Sequence, residues 1–324
     1  MGKTSLFQGS TPHRRVVAAD AITGPGQVIV MQLGKENFQK DHQLVFNLAM
    51  ANVGAATAVD NDLIGKLVAS VVLSVASPHQ QGELINCSGL MATMLSATQD
   101  EDSFSIGALA APQLVQFAID LHHVNDAALR DMMTALDGDA ATGITLTITM
   151  GALADARSIA GGPYVAAAAF TTLTGTVEVV VTEYPTAALA NVAGVGTGRH
   201  FIREIFAAVA GVGVTTLDLR VGNRCRGLLI STETAAGVPI DTIITNLSLM
   251  IKGVSVLNHS WFAARLDSAN ECSVDGVGHA WIAFSDDDEK GFLDLYNTNQ
   301  AQLVCTTGAA GQIRLLQDYS EALG

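Results

Sequence analysis

Apolar residues in this chain recur with a period of two in most of its hydrophobic stretches, and that alternation restricts the fold to sheets with one buried face. Ile144, Leu146, Ile148 and Met150 alternate with Thr145, Thr147 and Thr149, and Val177, Val179 and Val181 alternate with Glu178, Val180 and Thr182. Similar β-rich runs recur at 27–33, 44–53, 67–75, 114–121, 215–221, 227–232, 247–251, 279–284, 302–306 and 312–317, separated by Gly, Asn and Pro. Many short strands without regular strand–helix alternation predict an all-β chain of sandwiches or jelly rolls and exclude a doubly wound sheet.

Two segments read as helices. Asn125 can cap a segment in which Leu129, Met132, Met133 and Leu136 share one face, with Gly138 ending it. In 258–269, Trp261, Phe262, Arg265 and Leu266 follow helical spacing. The stretch 201–210 fits either a helix or a strand. A Gly-Gly-Pro sequence at 161–163 predicts a boundary between two halves, which echo one another at an offset of 180. Leu48, Ile64, Leu67, Ala69 and Val71 correspond to Leu228, Ile244, Leu247, Leu249 and Ile251, and each half has an Asp, Asp62 or Asp241, leading into its strand. The pattern predicts two similar β domains, with Val177, Val179 and Val181 facing the core of one half and the Ile144–Met150 stripe facing the core of the other.

Charge narrows the function. Only 15% of residues are charged, against a typical share of about 25%, and Lys is limited to six positions. Lys and Glu are depleted in the cores of protein interfaces, so the composition predicts an obligate oligomer. Lys+Arg 17 against Asp+Glu 31 leaves −14, which repels a phosphate backbone and argues against nucleic-acid binding, sequence-specific or not. The longest stretch without Asp, Glu, Lys or Arg, 158–177, contains Gly161, Gly162, Pro163 and Gly175, so it does not read as a membrane helix. Cys87, Cys225, Cys272 and Cys305 lie far apart with no CxxC, which predicts reduced, buried thiols in a protein made in cytoplasm.

Catalytic and metal motifs fail on spacing. Gly2-Lys-Thr lacks the upstream half of a phosphate loop, and Gly194-Val-Gly-Thr-Gly198 lacks the spacing of a dinucleotide site. In the acidic stretch 286–291, Asp286, Asp288 and Gly291 match a calcium loop, but Lys290 and Asn297 stand where it needs ligands; a cation held by Asp286–Glu289 is the residual metal reading. No two histidines are spaced as His-x-His, and the adjacent His122 and His123 would point to opposite faces of a strand. There is no Gly-x-Ser-x-Gly elbow. No catalytic, metal or cofactor site is predicted.

The second half has an ordered set of features: the apolar run 201–209, Gly211-Val-Gly-Val-Thr-Thr-Leu-Asp-Leu-Arg220, Arg224-Cys-Arg-Gly-Leu-Leu-Ile-Ser-Thr232, Asp241-Thr-Ile-Ile-Thr-Asn-Leu-Ser-Leu-Met-Ile-Lys-Gly253, a Trp-bearing segment and the closing Gly311-Gln-Ile-Arg-Leu-Leu-Gln-Asp-Tyr319. This order resembles the second jelly roll of double jelly-roll major capsid proteins of the tectivirus–adenovirus lineage, as in icosahedral phages with an internal membrane. The similar pattern around Asp62, 67–75 and Gly82-Glu-Leu-Ile-Asn86 would be the first. The resemblance implies two side-by-side eight-stranded jelly rolls with one or two short helices, at 21–158 and 159–324. It further implies homotrimeric, pseudo-hexagonal capsomers, minor capsid or vertex proteins as partners, a place in the virion capsid after synthesis in the host cytoplasm, and no enzymatic activity. The opposing reading is a two-domain β-sandwich that binds or hydrolyses carbohydrate. Residues 1–20 read as a basic arm, because Lys3, Arg14 and Arg15 precede the first acid, Asp20, and such an arm suits the internal lipid membrane or the enclosed genome.

Overall fold

The computed structural model describes residues 12–53, 61–78, 80–98, 104–106, 113–123, 131–153, 169–189, 194–271, 276–284 and 292–322. Eight principal strands build the first half: β1 (His13–Ile22), β2 (Val28–Gln32), β3 (Phe38–Val53), β4 (Val68–Ala76), β5 (Gly82–Cys87), β6 (Gln113–His122), β7 (Gly143–Met150) and β8 (Ala169–Tyr184). They pair in the orders β1-β8-β3-β6 and β2-β7-β4-β5. Eight more build the second: β9 (Gly198–Val209), β10 (Gly213–Asp218), β11 (Arg224–Glu233), β12 (Ile244–Ile251), β13 (Val254–Ser260), β14 (His279–Ala283), β15 (Ala301–Thr307) and β16 (Gly311–Ala322). Their orders are β9-β16-β11-β14 and β10-β15-β12-β13. The strand order of one half maps onto that of the other, so each half is a jelly roll of two facing four-stranded sheets. The offset of 180 sets Leu48 on β3 against Leu228 on β11 and Val71 on β4 against Ile251 on β12, but Ile64 and Leu67 lie in a 3-10 helix where Ile244 and Leu247 are on β12.

Alternation places the core. In the first roll Val177, Val179 and Val181 of β8 and Leu44, Phe46, Leu48 and Met50 of β3 are buried, and so are Ile144, Leu146, Ile148 and Met150 of β7 in the facing sheet. Both stripes therefore line a single core, whereas the sequence had suggested one in each half. Phe46 and Phe117 stack across β3 and β6 at 4.7 Å between ring centroids. Leu228, Ile230, Leu247, Leu249, Ile313 and Leu315 fill the second roll. β12 and β13 are joined by Lys252-Gly253 with φ of 51° and 78°, the left-handed pair that a two-residue hairpin turn requires.

Three expectations change. Strand β8, assigned from the sequence to the second half, pairs with β1 and β3 along its length, so the boundary does not fall at 158/159 and the second roll begins with β9. The Gly-Gly-Pro at 161–163 lies outside the described residues, and turn residues in a sequence do not tell a connection within one roll from a connection between two. The arm expected at 1–20 is strand from His13 onward, while Lys3 lies outside the described residues. The helix expected at 125–138 falls partly outside them, and its described part is a 3-10 turn, Asp131–Thr134, followed by Leu136–Asp137 paired to β3. The start of β3, which extends past the end of β6, takes up that backbone, overriding the helical spacing. The second expected helix is present as α2 (Trp261–Glu271), and α1 (Gly89–Ala97) was not foreseen.

Because Val179 is fully buried between the two sheets of the first roll, Val179→Asp places an unpaired carboxylate in the core and should cost several kcal/mol, most of a domain's stability. Val179→Ile should fold. Thermal melting of the two variants checks this, and unchanged melting of Val179→Asp would contradict the assigned face.

Candidate functional site at the junction of the jelly rolls

The rolls are joined through strand edges. β5 pairs in parallel with β9 at Ile85–Ile202 and Asn86–Arg203, so one sheet of each roll continues into the other. Arg203 reinforces the pairing, with Nη1 3.0 Å from Glu83 Oε2. The outward face of the β9-β16-β11 sheet is covered by the first roll. Leu229 of β11 and Leu316 of β16 are direct partners on that face, and both are fully buried. β11 is consequently buried at every residue after Arg224, whereas its counterpart β3 alternates from Asp41 to Met50 between buried positions and half-buried or exposed ones.

The covering unit is a 3-10 helix, Asn61–Leu67, packed on α1. Their contact admits no side chain: a Cβ on Gly65 would lie 2.5 Å from the Gly89 carbonyl oxygen, and one on Gly89 would lie 2.5 Å from Val68 Cβ. This approach carries Lys66 to the second roll, where Nζ lies 2.9 Å from Glu233 Oε1 and also donates to the Gly237 carbonyl. Arg314 continues the chain of charges, with Nε 3.3 Å from Glu233 Oε2 and Nη1 2.8 Å from Glu204 Oε1. Glu204 Oε2 accepts the Ser88 N–H at the start of α1 at 2.5 Å. Two cations meet two carboxylates beside a cavity of about 350 Å³ lined by Lys66, Ser88, Leu90, Glu233, Gln312 and Arg314. Such a balanced set of ion pairs works as a clamp holding one roll against the other.

A second polar cluster contains most of the buried histidines. His42 Nδ1 and His123 Nε2 share a hydrogen bond of 2.9 Å between fully buried rings. His122 Nδ1 lies 2.8 Å from Asp41 Oδ1. On the second roll His200 Nε2 is 2.5 Å from Asp318 Oδ1, and Arg226 Nη2 is 3.6 Å from Asp318 Oδ2. Burial alone would raise the Asp318 carboxyl, but Arg226 and His200 outweigh it and hold the group below the usual carboxylate range. Burial pushes His42 down to about 4 and His279 to about 3, and it drives His123 well below the ordinary histidine value.

The residues singled out in the sequence lie elsewhere. Arg14 and Arg15 are on β1, where Arg15 Nε is 2.8 Å from the buried Glu183 and its Nη2 is 3.1 Å from Glu36. Arg14 bonds the Gln43 side chain. Lys3 and the Asp286–Glu289 loop lie outside the described residues, and among the described residues no group of three His, Cys, Asp or Glu is arranged to hold a metal. Cys87, Cys225 and Cys305 are buried free thiols; burial raises all three, Cys305 to about 12. Among the described residues, no helix is long and apolar enough to cross a membrane. Lys66, Glu204, Glu233 and Arg314 carry no motif, and the only sequence signal for them is that a low-charge chain places charge in or directly beside apolar runs.

No family model matches this chain, and no curated protein matches it in sequence. Solved structures match it over nearly its whole length. The STIV MCP superposes with a TM-score of 0.72 at 15% identity, covering 96% of this chain and 97% of the other. The PBCV-1 virus capsid gives 0.62 at 10% identity, covering 96% and 94%. The major capsid protein of bacteriophage PM2 gives 0.60 at 14% identity, covering 96% and 98%. The fold of this chain is the double jelly roll of these structures.

The depressed histidines imply acid lability. Their folded values lie below the ordinary 6.5, so on acidification the unfolded chain takes up protons that the folded chain refuses. The stability tied to these histidines should fall as pH drops below about 6.5 and be lost near the folded values of about 4 and 3. Melting temperatures from pH 7.5 to 4 measure this, and His279→Gln should flatten the slope.

Proposed function

We propose that this protein is a major capsid protein, a non-enzymatic shell subunit of an icosahedral virus that assembles as homotrimers with pseudo-hexagonal outline. One observation carries the reading: the two-roll architecture spans 96% of this chain and 97% and 98% of the STIV MCP and the PM2 major capsid protein. The low charge supports it, since few lysines leave surface suited to burial against other copies. The junction is consistent with it too, because its charges are consumed in mutual pairs. The protein then works in the virion capsid after synthesis in the host cytoplasm, with its own copies and minor capsid or vertex proteins as partners.

Contact with an anionic surface, the internal membrane or the enclosed genome, falls to Lys3 and Arg14, since Arg15 is committed to Glu183 and Glu36. Two basic residues near an anionic bilayer are worth about 2 kcal/mol per copy, which multiplies over a lattice.

Native mass measurement should show a trimer, and glycoside, ester and phosphoester substrates should not turn over. A monomer with a rate abolished by one carboxylate change would favour the opposing sandwich-hydrolase reading. In flotation, the protein should rise with anionic vesicles at low salt and release at high salt or with Arg14→Glu. Equal binding to neutral vesicles would remove the electrostatic role.

A further inference from the structure

The face that the second roll turns to the first is ionisable at both ends and apolar between them. Along β16, Arg314, Leu316 and Asp318 lie on that face, and the register sets Ser231 of β11 beside Arg314, Leu229 beside Leu316 and Gly227 beside Asp318. His279 of β14 is the partner of Ser231 and is buried. At the other end His200 and Arg226 hold Asp318. The first roll brings an ionisable group to each end. Burial comes first among the causes that keep His279 uncharged, Lys66 of the first roll is next, and Arg265 on α2 follows. For His123 burial again comes first, then His42 of its own roll, His200 across the junction, and His122.

Geometry denies these rings a further proton. The neutral pair of His42 and His123 has one hydrogen in the shared bond and one on an outer nitrogen. A third makes donors of both outer nitrogens, His42 Nε2 and His123 Nδ1, and neither has a partner among the described residues. A fourth leaves no lone pair for the shared bond. His279 likewise has no partner among the described residues at either ring nitrogen. The surrounding carboxylates are already engaged. Asp41 and Glu183, the acids that face His42, bind His122 and Arg15. Asp318 binds His200 and Arg226, Asp241 binds Arg265 and the Gly278 N–H, and Glu233 binds Lys66 and Arg314.

We propose that the junction is an acid-operated hinge: protonation of His42 and His123 at one end and of His279 at the other sets a cation of one roll against Arg226 or Lys66 of the other, and the rolls part as folded units. The opening is confined to the junction because the protons enter there. The stripes that fill the rolls, such as Ile144–Met150 in the first and Leu247 and Leu249 in the second, hold no titratable group. Once the rolls part, each ring regains the ordinary histidine value, so from pH 7.5 to pH 5 each favours the open form by about thirtyfold and two together by about a thousandfold. Acid then loosens one contact inside the chain ahead of unfolding either roll.

Amide hydrogen exchange of the full chain, corrected for the intrinsic effect of pH, tests this. From pH 7.5 to pH 5, peptides across 85–88 and 202–204, where β5 and the start of α1 bond to β9, should exchange at least about tenfold faster. Peptides across β7 and β12 should keep their protection, the far-ultraviolet circular dichroism should not change, and return to pH 7.5 should restore the junction. His279→Gln and His123→Gln, which remove the titrating rings, should each move the midpoint of opening to lower pH. The double variant should stay closed at pH 5, and His13→Gln, at an exposed position on β1, should behave as wild type. Junction peptides that stay protected in wild type at pH 5, or that lose protection together with β7 and β12, would overturn the hinge whether or not the variants fold. A midpoint unmoved in His279→Gln and in the double variant would overturn the part given to the histidines.

Discussion

An open sheet edge leaves a row of unpaired N–H and C=O groups that invite any passing strand, and the structure is organised around how this chain closes one of them. β5 and β9 are each at the edge of a four-stranded sheet, and their parallel pairing at Ile85–Ile202 and Asn86–Arg203 turns two edges into none. Everything at the junction follows from that pairing. It brings α1 over the outward face of the second roll, buries Leu229 and Leu316, and places Lys66 within reach of Glu233.

Hydrophobic contact alone would hold the rolls together without choosing one orientation. Lys66, Glu233, Arg314 and Glu204 supply direction, because each bond in that chain has a fixed length and its members come from both rolls. Taking such charges out of water is costly, so the set adds less stability than its bonds suggest. Removing one member would nevertheless leave its partner buried and unpaired. The histidine cluster belongs to the same class of interaction, with His42 and His123 kept neutral by burial and Asp318 kept charged by Arg226 and His200.

Duplication explains why a chain with so few charges tolerates exposed Phe262, Val254 and Val256. Two rolls of one design carry two copies of every surface, and a single chain can cover only one copy of each. The remainder keeps apolar side chains exposed, among them Phe262, Val254 and Val256.

The sequence by itself determined the strands and their faces. Alternation located twelve of the sixteen principal strands, the inward stripes 144–150 and 177–181 are buried as read, and the echo at 180 sets Leu48 and Val71 on strands equivalent to those of Leu228 and Ile251. These features are local, since a period of two decides which side of a strand meets water whichever strand lies beside it. Tertiary structure decided the rest: that β8 joins the first roll, that Arg14 and Arg15 lie on β1, that α1 packs on the 3-10 helix through Gly65 and Gly89, and that residues 66, 204, 233 and 314 meet. Backbone N–H and C=O groups are the same in every strand and carry no address, so a strand's partner is settled only when distant segments close on one another and their side chains either fit or clash.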